Sequence, residues 1–415
     1  MYMKNSNSIR DKKLYFFIAL YFNSLIIVDL VRMLVGESAM IATLIQYLLY
    51  LGCLAFVIYD VVRKKLRMDK ILFNILSVLI IVTTVSAAIN NSAIELYIYY
   101  VQFFLTRGLP GIYLISKISS VNDAIIYIKK FQIIWVIYAV LGMIYIPMNA
   151  VGGYNMSFGY NMLMPACIVL YSLFLEKRIW YIVTSAVYIF AIIICGSRGP
   201  LICLAIYFMF MFLFMRNTFD SCNRKNLKGT LIRAVVILIL FIGIILNIEN
   251  IALSLAKSFP DSRTIKMLAS GIFNDAGRNP IYNTFLNELN NHPFAIHGIF
   301  ADRVFYSQHV INKPIDVFNY PHNIWIEMSY QFGVFIGSLL SLTIIIVSLK
   351  GAIKSVKCMS GEVCLFAFTF VSGVIKLLFS SSYLINAETY LYIGVLIYLV
   401  RKTYTEKNEG HRLIG

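Results

Sequence analysis

The chain has 415 residues, of which 60% are hydrophobic and 13% charged, with a mean hydropathy of +0.77 and a formal net charge of +16. Soluble globular domains carry about 25% charged residues, so this composition excludes a water-soluble fold. The positive balance does not mark a nucleic-acid partner either, because the basic residues sit in short clusters between apolar runs and not on one soluble face.

In chain order, apolar runs occupy 14–35, 41–61, 71–89, 94–115, 131–146, 161–175, 179–195, 200–215, 231–246, 324–349, 363–379 and 390–400. Most reach the roughly 16–22 residues needed to cross a hydrocarbon core, so an all-α polytopic membrane protein with about twelve transmembrane helices is expected. The N-terminal MYMKNSNSIRDKK precedes an apolar run as in a signal peptide, but no small-residue cleavage site follows, so the run is read as the first span. Connections after even-numbered spans carry the basic clusters: Arg63, Lys64, Lys65 and Arg67; Lys117, Lys129 and Lys130; Lys177 and Arg178; Arg216, Arg224, Lys225 and Lys228; Lys350, Lys354 and Lys357. Both termini are basic too, which places both ends in the cytoplasm and the odd connections outside. Three segments result: 1–246 with the first nine helices, a large outward loop over 247–321, and 322–415 with the last three helices and a cytoplasmic tail. No internal repeat is visible, unlike the inverted repeats of many transporters.

Seven cysteines occur; six lie in or near apolar runs, and Cys222 lies in a basic cytoplasmic segment. None falls in the outward loop, so neither a disulfide framework nor a CxxC metal site is indicated. The loop carries helix signals. In DSRTIKMLASGIF, Asp261 or Ser262 can cap a short helix. In RNPIYNTFLNELNNHP, Asn279 can cap and Pro280 suits the first helical position. Ile281, Phe285 and Leu289 there share a face that is expected to pack on the membrane domain.

The chemistry concentrates in the same loop. Of five histidines, His292, His297, His309 and His322 lie in it or at its end, and only His411 lies elsewhere. Arg263, Arg278, Arg303, Lys257, Lys266 and Lys313 make the loop unusually cationic for an outward segment. Long loops translocate regardless of charge; alternatively, the cations meet an anionic ligand such as a lipid diphosphate, which guanidinium groups bind in bidentate fashion. Arg198, in CGSRGPLI at an outer span end, reads as a snorkelling anchor or as a ligand, with Gly196 and Gly199 allowing close backbone approach. In NYPHNIWIEMSYQFGVFIG, Pro321 marks a helix start and puts His322 in the first turn, where the helix dipole disfavours imidazolium. A neutral imidazole can act as a general base; a surface histidine that only orders the helix start is the alternative.

The outward acids Asp261, Asp275, Asp302 and Asp316 are scattered and read as caps and solvated loop residues. No outward DxD or HExxH pattern occurs, so nothing visible requires a metal. Within the spans, Asp29 and Arg32 are one helical turn apart and placed to pair, whereas Arg107 and Lys376 need a partner or a polar cavity. The aromatic content of 15% fits core and interfacial-belt residues.

GSRGPLI, then GRNPIYNTFLNELNNHPFAIHG, then YPHNIWIEMSYQFGVFIG, in this order and at these membrane positions, resembles the core of the O-antigen polymerase/ligase superfamily of lipid-linked glycan transferases. The resemblance implies a metal-independent, cofactor-free glycosyltransferase in the bacterial inner membrane, with its active site facing the periplasm. A polyprenyl-diphosphate-linked oligosaccharide would be both donor and acceptor, with membrane lipid and a chain-length regulator as further partners and no nucleic acid. It assigns Arg198 and Arg278 to the diphosphate, with Arg263 as a weaker candidate, and His322 to activation of the acceptor hydroxyl. Two positions depart from the family pattern. Gly298 keeps one glycine of a pair while Phe300 replaces the other, and Gln331 stands where an acid is usual, with Glu327 nearby. The run DSRT…GR…DR…YPHN is most like polymerases. A ligase moving finished glycan to the lipid A core is the next reading. A transporter of lipid-linked oligosaccharide is a third, which the span count suits and the cationic loop does not.

Overall fold

A chain inside a bilayer has to satisfy every backbone N–H and C=O internally, and long apolar runs do so as helices. The computed structural model describes residues 2–36, 40–63, 70–90, 93–149, 155–195, 197–214, 243, 247, 249–257, 263–270, 278–358 and 360–412. Among them there is no strand. The helices in chain order are α1 (Tyr2–Val35), α2 (Met40–Arg63), α3 (Lys70–Ile89), α4 (Ile94–Phe103), α5 (Leu109–Ser116), α6 (Val121–Lys129), α7 (Gln132–Asn149), α8 (Met156–Glu176) and α9 (Ile179–Cys195). They continue as α10 (Arg198–Phe214), α11 (Arg263–Ala269), α12 (Asn279–Asn291), α13 (Ala301–Tyr306), α14 (Ile324–Phe332), α15 (Val334–Lys357), α16 (Ser360–Gly373) and α17 (Ala387–Arg412).

Among the described residues, seven helices are long and apolar enough to cross a membrane, and α9 and α10 are shorter apolar helices. The chain is thus an all-α polytopic membrane protein. The twelve expected spans are not all reached among the described residues, and two of them are built differently from the expectation. The fourth is α4 joined to α5 through a π-helical turn, Phe104–Gly108, that carries Arg107. The tenth is not one helix from Ile324: it breaks at Gly333, and the apolar span is Val334–Lys357. Most of the ninth expected span, and the caps expected from Asp261 and Ser262, lie outside the described residues, although the helix they precede is present as α11.

The helices group into two compact units, each discontinuous in sequence. The first comprises Met1–Cys53, Lys117–Asn274 and Ala352–Ser372. Its α8 is mostly buried, and several of the unit's buried polar side chains are paired, as a low-dielectric interior favours. Trp135 Nε1 donates to Asn23 Oδ1 at 2.5 Å, and Tyr207 Oη donates to the Cys167 carbonyl at 2.8 Å. Asp29 pairs with Arg32 at 3.3 Å, as its spacing suggested, and also accepts from Asn161 Nδ2 at 2.6 Å. Cys53, Cys167, Cys195, Cys203 and Cys364 are buried thiols and Cys358 is half-buried, while Cys222 lies outside the described residues.

The second unit comprises Leu54–Ser116, Asp275–Gly351 and Gly373–Gly415. Tyr113 Oη donates to Asp60 Oδ2 at 2.6 Å, and Arg401 Nη1 donates to the Ser116 carbonyl at 2.8 Å. Lys376 finds partners in Asn386 Oδ1 at 3.1 Å and Glu388 Oε2 at 3.7 Å, so here ion pairing satisfies an intramembrane cation. The loop helices follow the predicted pattern with one revision. Phe285 and Leu289 of α12 are buried and Ile281 is partly so, but they pack on Ala301 and Phe305 of α13 and on Ile326 and Tyr330 of α14. The loop thereby forms a core shared with α14. Arg278, and not Asn279, holds the N-cap position of α12, without a side-chain cap bond.

Candidate functional site

The site lies in the second unit, where the segment 293–306 folds against the break between α14 and α15. Gly333 makes that break with φ +81°, and Pro293 accepts the Val334 N–H at 2.8 Å. Gly298 adopts φ +83° and donates its N–H to the Gln331 carbonyl at 2.9 Å. A side chain on Gly298 would meet the Ser86 carbonyl oxygen at 3.2 Å, so both conformation and space require glycine. One residue on, the Ile299 carbonyl accepts from Tyr97 Oη at 2.7 Å and from Asn90 Nδ2 at 3.3 Å. These bonds fasten the loop to α4 and to the residue that follows α3.

Phe300 then takes φ +66°, a left-handed conformation that is uncommon for a bulky residue. Its ring is fully buried, edge-on to Tyr97 and Tyr100 at centroid distances of 5.2 and 5.9 Å. This packing offsets the ~1–2 kcal/mol cost of the left-handed backbone. The Phe300 carbonyl accepts the Arg303 N–H at 3.0 Å as α13 begins.

Arg303 is the centre of the arrangement. Sequence position sets it among the loop cations and Asp302 among the solvated acids, yet both are completely buried. Arg303 Nη1 bridges Asp302 Oδ2 and Glu327 Oε1, the latter at 2.7 Å, and Nη2 donates to Ser382 Oγ at 2.5 Å. Ser382 in turn donates to Glu327 Oε1 at 2.5 Å. Asp302 Oδ1 accepts from Gln331 Nε2 at 2.6 Å, and the side-chain amide oxygen of Gln331, Oε1, accepts from Tyr383 Oη. The guanidinium also lies over the rings of Phe300 and Tyr320, 5.2 and 5.4 Å from their centroids. A buried ion costs several kcal/mol unless such partners surround it. Burial pushes the carboxyls of both Asp302 and Glu327 above their ordinary range. Glu327 Oε2 is buried and has no hydrogen-bond partner among the described residues.

His322 adjoins this cluster through Tyr320, whose ring lies 4.5 Å away, edge to face. It does not sit in the first turn of a helix. Asn323 is the N-cap of α14 and accepts from the N–H groups of Trp325 and Ile326, which leaves His322 just outside with φ +56°. The ring is half-buried, but its Nδ1 is shielded and has no hydrogen-bond partner among the described residues. Burial, with the positive charges of Arg278 and then Arg303, pulls its pKa down to about 4. The expected neutral imidazole is therefore present, held so by desolvation and neighbouring cations and not by a first-turn position.

The second unit thus brings Arg278, half-buried at the start of α12, into the electrostatic range of His322. Arg198 opens α10 and Arg263 opens α11, both in the first unit. Arg303, Asp302, Ser382 and Tyr383 were not singled out from sequence as a group. The one available signal was the adjacent Asp-Arg pair following a kept glycine. Ser382 and Tyr383 lie over fifty residues further on in a serine run with no motif.

Residues 182–341 match the model of a family described as O-antigen ligase. No curated protein and no solved structure matches the chain. The matched segment holds Arg198, Arg263, Arg278, the Asp302–Arg303–Glu327 cluster and His322, and over these residues the chain is similar to that family, in support of the O-antigen polymerase/ligase superfamily.

Proposed function

We propose that the protein is an O-antigen polymerase of the bacterial inner membrane, with 247–321 as its periplasmic loop, joining oligosaccharide repeat units carried on polyprenyl diphosphate. The observation that carries this reading is His322, kept neutral by burial and by the charge of Arg278, with a shielded Nδ1 that has no hydrogen-bond partner among the described residues. In the reaction the acceptor sugar hydroxyl gives its proton to the His322 lone pair as its oxygen attacks the anomeric carbon of the donor. The bond from that carbon to the diphosphate oxygen breaks, and the electron pair leaves on the diphosphate. Arg278, with Arg198 and Arg263 as the family resemblance implies, offsets the charge that develops there. Attack opposite the leaving group inverts the anomeric centre. Neither a metal nor a cofactor enters these steps.

The test uses the purified chain in liposomes with a polyprenyl-diphosphate-linked repeat unit as the sole glycan. A ladder of products that disappears in His322→Ala is the expected result. No ladder from a competent substrate would sink the polymerase reading. The matched family's description favours a ligase as the second reading, and lipid A core added to the same liposomes would then yield a single transfer product.

A further inference from the structure

Helices α12, α13 and α14 and the end of α3 enclose a cavity of about 340 Å³ that the reaction above does not use. Its size falls at the low end of small-molecule sites, ~300–1,000 Å³. Two flat histidine rings form part of its wall. His297 stacks on Tyr330 at 4.5 Å, and His309 stacks on Phe305 at 4.5 Å. His309 belongs to a π-helical turn, Ser307–Ile311, a distortion often found at functional sites. Its Nδ1 faces the Phe305 carbonyl at 3.2 Å, which can only accept, so Nδ1 carries a proton.

Three further polar groups line the cavity without a hydrogen bond or ion pair among the described residues: the Glu288 carboxylate, the Gln308 amide and the Tyr330 hydroxyl. No lysine or arginine lines it, and Glu288 is its one acidic side chain. Flat rings for C–H faces, with carboxylate and amide groups for paired hydroxyls, suit a sugar. The charge suits neither a phosphate nor an acidic sugar, which separates this pocket from the arginines assigned to the diphosphate.

We propose that this cavity is a glycan subsite that holds uncharged sugar residues of the lipid-linked substrate and discriminates against anionic ones. The proposal rests on the reading of the chain as a glycan transferase, and the experiment separates the two. Free disaccharides without lipid or phosphate (neutral hexose, N-acetylhexosamine and hexuronate types) are titrated into the full chain in nanodiscs and followed by saturation-transfer NMR. The neutral probes bind, and the hexuronate binds about tenfold more weakly, because its carboxylate faces Glu288. Glu288→Gln closes most of that gap. Gln308→Ala, at an exposed position, weakens the neutral probes about fivefold through lost hydrogen bonds, and His322→Ala leaves them unchanged. Absence of binding by every neutral probe overturns the subsite, as does a gap that Glu288→Gln leaves intact, or loss of binding in His322→Ala. A product ladder in liposomes with failed sugar binding would refute the subsite alone. Sugar binding that responds to Glu288 and Gln308, with no ladder and no ligase product, would refute the transferase reading alone.

Discussion

At the scale of single residues, the proton affinity of His322 sets the acid limit of the proposed reaction. A base with a pKa near 4 is lone-pair-ready throughout the neutral range and is lost only as pH falls through about 4. An unperturbed histidine, with a pKa of about 6.5, would retain only about a tenth of its base form at pH 5.5. Ladder formation is therefore expected to be as fast at pH 5.5 as at pH 7. Arg278→Gln removes one of the charges that lower this pKa, so the acid limb of the pH–rate profile should move upward as the rate falls. A limb centred near pH 6.5 in the parent protein would show that His322 is not the base, or not desolvated.

At the scale of elements, the loop is held by one ion cluster and one strained turn. Removing the guanidinium in Arg303→Met strands two fully buried carboxylates and should cost about 3–5 kcal/mol. The loss is measurable by chemical unfolding of the detergent-solubilised protein, and acidification should narrow it by protonating Asp302 and Glu327. Phe300 poses a competition of magnitudes. Glycine there would release ~1–2 kcal/mol of backbone strain but delete a fully buried aromatic ring worth about 3–5 kcal/mol. Packing wins, so Phe300→Gly should destabilise by roughly 2 kcal/mol even though the family pattern places a glycine at this position. Stabilisation on that substitution would mean the Tyr97–Phe300–Tyr100 contacts contribute little.

At the scale of the whole molecule, the proposed orientation puts the loop outside and the basic connections inside. With the native cysteines replaced, a cysteine at Phe294, which is 82% exposed, should react with a membrane-impermeant maleimide in cells whose outer membrane is permeabilised. A cysteine at Lys354 should react only after the inner membrane is opened. The reverse pattern would place the candidate site in the cytoplasm, where no lipid-linked polymerisation at the periplasmic face is conceivable.

Amino-acid sequence alone determined the class, the course of most spans and the three segments that carry the family resemblance. Each rests on local quantities: apolar run length, charge clusters, and Gly or Pro where the backbone must turn. It also pointed to a neutral His322, though through a helix position that the chain does not adopt. What only the tertiary structure decided was the fate of the loop's charges. Asp302 and Arg303 look like any solvated pair until the folded loop presses them against Glu327, with Ser382 arriving from beyond the eleventh expected span. Burial of a charged side chain depends on contacts between distant segments, and no periodicity within one segment encodes it. The break at Gly333 has the same origin: its positive-φ backbone is followed by a Val334 N–H that donates to a carbonyl some forty residues upstream, at Pro293.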